Sequence, residues 1–172
     1  MMPEVSESAE SPDRIARLEG WIARNDKWIF AALFVLLFLG FLGRYAAIGY
    51  GVGAGGNYYY SYLPTLVIDR DLDFSNQLAN LPFLKELGNP LHYEKNPKPW
   101  TTSTGKTANE NAIGPALFWM PFFLVGHGAV LISNTFGAFI PLDGFSDIEQ
   151  ISTLFGSILF AVLGLWLVYR FS

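Results

Sequence analysis

Three stretches of this chain, residues 28–43, 111–135 and 151–169, contain no lysine, arginine, aspartate or glutamate. Runs of that length are rare in a chain that folds in water, whereas a bilayer demands about 20 consecutive apolar residues for each helical crossing. Inside hydrocarbon every backbone N–H and C=O must find its partner within the protein, and a helix satisfies them within one segment. The fold class follows: an all-α integral membrane protein with about three transmembrane helices and a large extracytoplasmic loop between the first and second. Composition agrees, since 15% of the 172 residues are charged and 51% hydrophobic, against roughly a quarter charged in soluble domains.

Several function classes fall away at once. A net charge of -4 leaves no basic stripe to neutralise phosphates, so nucleic acid is not an expected partner. The absence of cysteine removes disulfides, thiolate nucleophiles and cysteine-ligated metals. Thr104-Gly105-Lys106-Thr107 resembles the end of a phosphate-binding loop, but Trp100 stands where that motif needs glycine. His92 and His127 are isolated from each other and lack the spacing of a zinc site. His127 nevertheless lies inside an uncharged stretch, where an ionisable group usually faces a protein interior or bonds to a neighbouring helix.

Along the chain, residues 1–12 read as a disordered cytoplasmic tail, acidic, serine-rich and poor in apolar groups. Residues 13–27 read as an amphipathic interfacial helix, with Ile15, Leu18, Trp21 and Ile22 at helical spacing among Arg14, Arg17 and Arg24. The first span occupies 28–49, ends in the glycine-rich run at 49–56, and is expected to be retained rather than cleaved as a signal peptide. Residues 50–111 form the loop, 112–133 the second span, 134–150 a link and 151–171 the third span. Arg14, Arg17, Arg24 and Lys27 crowd the start of the first span, which puts the N-terminus in the cytoplasm. The second span carries Pro115, suited to a helix start, and Pro121, expected to kink it. A full crossing by 112–133 makes 134–150 cytoplasmic, yet that link holds Asp143, Asp147 and Glu149 and no basic residue. The alternative is a re-entrant second segment; uncharged length favours the crossing.

The 50–111 loop is far longer than an ordinary connection and is not composed like disorder. Its run Asn57-Tyr58-Tyr59-Tyr60-Ser61-Tyr62-Leu63 must pack on the membrane face or the spans. Asp69, Asp71 and Asp73 follow in alternation. Such carboxylates serve as general base, hold a divalent cation, or cap the next helix, and spacing alone favours the capping role.

Three stretches together resemble the N-terminal part of bacterial GT-C type integral membrane glycosyltransferases, the superfamily of protein mannosyltransferases and lipid A aminoarabinose transferases. They are Tyr58-Tyr59-Tyr60-Ser61-Tyr62-Leu63-Pro64 running on through Asp69-Arg70-Asp71-Leu72-Asp73-Phe74-Ser75-Asn76, then Ala112-Ile113-Gly114-Pro115 with Trp119, Met120 and Pro121, then the 163–170 helix end. The resemblance implies a polyprenyl-phosphate-sugar donor, a catalytic carboxylate in the first extracytoplasmic loop, and a place in the bacterial cytoplasmic (inner) membrane. Relatives keep an acidic residue just before the tyrosine run, where this chain reads Gly55-Gly56-Asn57. Asn57 cannot act as a base, so the role passes to Asp71, with Asp69 and Asp73 beside it, while Asn57, Tyr58, Tyr59 and Tyr60 fall to substrate binding. Whether a divalent cation takes part is left open. Members of the superfamily have many more spans. The resemblance therefore implies a module that is not active alone, completed by further C-terminal helices or by a larger membrane partner; the rival expectation is a non-catalytic subunit that packs on such a partner.

Overall fold

The computed structural model describes residues 12–53, 55–80, 101–109 and 111–172. Of the tail expected at 1–12, residues 1–11 lie outside the described residues, as does His92, and Pro12 begins the first helix. Three helices are long and apolar enough to cross a membrane, and the described residues contain no strand beyond an isolated bridge between Thr101 and Thr107. The protein is an all-α membrane protein.

α1 runs unbroken over Pro12–Ile48, so the segments expected as an interfacial helix and a span are one rod. At 1.5 Å per residue its 37 residues extend about 55 Å, well beyond a hydrocarbon core of about 30 Å. Gly49 stops it at a positive φ of 77°, its N–H bonded to the Tyr45 carbonyl at 2.8 Å, as a helix-ending glycine does. α2, Gly55–Pro64, passes directly into a π-helical segment, Thr65–Asp69. Pro64 has no N–H to give the Tyr60 carbonyl, and the register slips. The slip closes with Arg70 in the left-handed region at φ 59°, its N–H on the Thr65 carbonyl, and with the Thr65 hydroxyl on the Ser61 carbonyl at 2.7 Å. α3, Ser75–Asn80, follows.

α4, Gly114–Thr135, has proline in its first turn and continues as helix through Pro121. α5, Asp147–Phe171, starts four residues before the expected boundary at 151 because Ser146 caps it. The Ser146 side chain accepts from the Glu149 N–H, and the Glu149 side chain in return accepts from the Ser146 N–H. This reciprocal box satisfies two otherwise unpaired donors.

The order of contacts gives the direction of each helix. Along α1 and α5, Asp26 faces Arg170 at 3.7 Å, Phe34 and Phe38 meet Phe155 edge-on, and the Tyr45 hydroxyl bonds Asp147; the two helices are antiparallel. Along α4 and α5, Phe118 meets Phe160, and His127 meets Glu149, again antiparallel. α4 therefore runs the same way as α1. The Gly51 N–H donates to Gln150 Oε1 at 3.0 Å, so the long link after α1 begins at the end of the bundle where α5 begins. A full crossing by 112–133 places 134–150 across the membrane from residue 50; in the structure these two links adjoin.

Close approach of α4 and α5 depends on two glycines. A Cβ on Gly126 would collide with the Ser152 hydroxyl and lie 3.0 Å from Glu149 Cα, and one on Gly156 would enter the Phe122 ring. The core joins loop to bundle: Val52, Tyr60, Tyr62, Leu63 and Phe74 pack with Ala116 and Phe123 of α4.

Candidate functional site

The tyrosine run is helical, which divides its side chains among different neighbours. Tyr60 is fully buried, edge-on to Phe123 with centroids 5.9 Å apart, and its hydroxyl donates to the Gly144 carbonyl at 2.7 Å. Burial first, and then the negative charge of Glu149, push its phenol well above the ordinary value. Tyr62 lies edge-on to Phe74 at 4.8 Å and donates to the Asn111 carbonyl at 2.7 Å. Tyr58 and Tyr59 are half-buried, and the Tyr58 carbonyl accepts from Asn109 Nδ2 at 2.6 Å. Asn57 is 2% exposed, with no hydrogen-bond partner for its Nδ2. Of the four residues assigned to substrate, Tyr60 serves the core and Asn57 is closed off beneath the surface.

The three aspartates stand close together and each is engaged as an acceptor. Asp69 accepts from Asn76 Nδ2 at 2.9 Å and from the Gln77 side chain. Asp71 Oδ1 accepts from the Asp73 N–H at 3.0 Å. Asp73 Oδ1 accepts from the Ser75 N–H at 3.1 Å and the Thr107 N–H at 3.2 Å, which ties the turn at 101–107 to the start of α3. The Ser75 N–H, foremost, holds the Asp73 carboxyl below the usual carboxylate range. These bonds organise turns. The carboxylates do not converge on one point, and among the described residues no three His, Asp or Glu side chains form a group able to hold a metal ion. The trio as folded does not fit a divalent cation.

A different acidic residue lies within the apolar bundle. Glu149, fully buried, sets Oε1 2.6 Å from His127 Nδ1 and takes the Ser146 N–H at 3.0 Å and hydroxyl at 2.7 Å on Oε2. The His127 ring stacks on Phe123, centroids 5.9 Å apart and planes 6° from parallel, and its side chain keeps 15% exposure. Sequence reasoning left Glu149 in a link. Its local signal was available in Ser146-Asp147-Ile148-Glu149, a capping box before an apolar run; its long-range partner His127 was not.

These features give the bundle a folded segment of short helices packed along α4, a buried carboxylate and an imidazole held by it. Compared with protein-family models, curated proteins and solved structures, the chain matches none.

Proposed function

We propose that this chain is a GT-C-like module of a bacterial cytoplasmic-membrane glycosyltransferase, transferring sugar from a polyprenyl-phosphate donor and working with further membrane helices or a larger membrane partner. The observation that carries this reading is that folded segment. The tyrosine and aspartate segments that resemble the family fold together with α4 around Tyr60, Leu63 and Phe74. A lipid-linked sugar presents its reactive bond at the membrane surface, and a rigid loop core there orients donor and acceptor where a mobile loop would not. Orientation is part of the proposal. Arg170 faces Asp26, so the basic residues before the first uncharged stretch and the one that closes α5 share an end, which the positive-inside rule assigns to the cytoplasm.

The test is donor binding by the full chain in lipid nanodiscs. A polyprenyl-phosphate-sugar is expected to bind and to be displaced by polyprenyl phosphate, but not by the free polyprenol. Equal binding of phosphate-free and phosphate-bearing lipids would sink the reading. A second reading, a non-catalytic membrane subunit, is favoured by one observation: all three loop aspartates are occupied as turn acceptors. For that subunit, donor affinity appears only when its partner is co-reconstituted.

A further inference from the structure

The His127–Glu149 pair has the construction of a general base. Both Glu149 oxygens face donors: Oε2 takes two from Ser146, and Oε1 lies 2.6 Å from His127 Nδ1. A carboxylate that accepts on both oxygens takes its bond from Nδ1 as the donor, and Nε2 is then the ring nitrogen left for chemistry. Nδ1 makes the ring's bond to Glu149, and no hydrogen bond to Nε2 is formed among the described residues. Two restraints fix the ring: the Glu149 bond at its edge and Phe123 against its face. Gly126, the residue before His127, brings α5 close enough for the pair to form. The pair sits within one turn of the start of α5, where Tyr45 reaches Asp147 and Gly51 reaches Gln150. The His127 side chain keeps 15% exposure there, while Glu149 has none.

We infer that His127 is the base that accepts the proton of an acceptor hydroxyl, with Glu149 as its positioning residue. This rests on the glycosyltransferase reading for the identity of the acceptor. In the step, the acceptor O–H gives its proton to Nε2 while its oxygen forms the bond to the anomeric carbon. The bond from that carbon to the lipid phosphate oxygen breaks, and the phosphate leaves with the electron pair. The titratable groups facing His127 from the packed elements are Glu149 on α5 and, through Phe123, Tyr60 on α2, whose hydroxyl is held by Gly144.

Two measurements test it. The chain has 2 histidines, so His92→Gln leaves one, and nitrogen NMR of the 15N-histidine-labelled full chain in nanodiscs reads its tautomer. The expected result is a protonated Nδ1 and a bare Nε2, reversed in Glu149→Gln, whose amide N–H donates to Nδ1 and drives the hydrogen to Nε2. A protonated Nε2 in the otherwise unaltered chain overturns the inference. Sugar transfer to a hydroxyl acceptor is then followed in membranes carrying the full chain. His127→Gln is expected to lose about 10²- to 10⁴-fold in turnover with donor affinity retained. Glu149→Gln should fall comparably, and Glu149→Asp should recover part of the rate with a shifted pH profile. Helical content and melting of each variant separate lost chemistry from lost folding. A folded His127→Gln chain that transfers at the parent rate also overturns the inference. If the parent membranes transfer no sugar, donor binding decides the glycosyltransferase reading, and the tautomer still decides whether Nε2 is a free base.

Discussion

At the scale of single residues, carboxylates in this chain are used as acceptors for nearby N–H groups. Asp71 and Asp73 each take the N–H two residues ahead, and asparagine does the same through its side-chain oxygen. Replacing Asp69, Asp71 or Asp73 by asparagine is therefore expected to cost about 1 kcal/mol or less, measured as a shift in the thermal melt of the reconstituted chain. Asp73 adds a pH dependence. Its folded pKa lies below the unfolded one, through the Ser75 N–H first, so its contribution is fully present above the unfolded value and is lost as pH falls through the folded value. As pH falls from above the ordinary aspartate value of about 3.9 through the lower folded value, the parent should lose stability that Asp73→Asn does not lose, because an amide has no proton to gain. Equal pH dependence in both chains would remove the assigned role. The acidic trio was conspicuous in the sequence and its capping role could be weighed there. The Thr107 contact was out of reach, since it joins residues on either side of a long insertion.

Helices were legible wherever the signal was local. The glycine run after Ile48 stops α1, and Pro115 opens α4. Pro121, expected to kink its helix, lies inside α4, which runs as helix on both sides of it; in apolar surroundings neighbouring helices and local adjustment restore what proline removes. The π-helical turn at 65–69 follows from Pro64, but a proline near a helix end usually signals a stop, so sequence alone did not distinguish the two outcomes. Gly126 and Gly156 looked like ordinary membrane-helix glycines until their neighbours were known. Gly126→Ala tests their use. Its new methyl meets the Ser152 hydroxyl, which can turn away, and the α5 backbone at Glu149 Cα and the Ile148 carbonyl, which cannot. Overpacking of this kind costs about 1–3 kcal/mol, whereas Gly128→Ala, with open space around it, should be neutral. Equal melts for the two variants would mean that α4 and α5 are not held at this distance.

For the molecule as a whole, the spans were readable from uncharged length, but their directions depend on which side chains meet. Antiparallel α1 and α5 put the links at 49–53 and 136–146 at one end. This answers the objection raised by the acidic, lysine-free 134–150 link, which no longer has to sit beside the basic flank of α1. Single cysteines are easily introduced because the chain has none. A cysteine at Ser146 should react with a membrane-impermeant thiol reagent from one face, and one at Ser172 from the opposite face only. Labelling of Ser146 together with Ser172 would require α4 to reverse the bundle.

The ion pair between Asp26 and Arg170 also sets an order of events during synthesis. These residues lie far apart in the chain, while α4 and α5 are joined by the link at 136–146 alone. At about 5–20 residues per second, α1 waits several seconds in the bilayer before α5 exists to meet it. Over that interval Phe34 and Phe38, which finally face Phe155, lie against lipid. Docking of α1 is accordingly the last and most distant closure, made onto a hairpin of α4 and α5 whose contacts are local and form sooner.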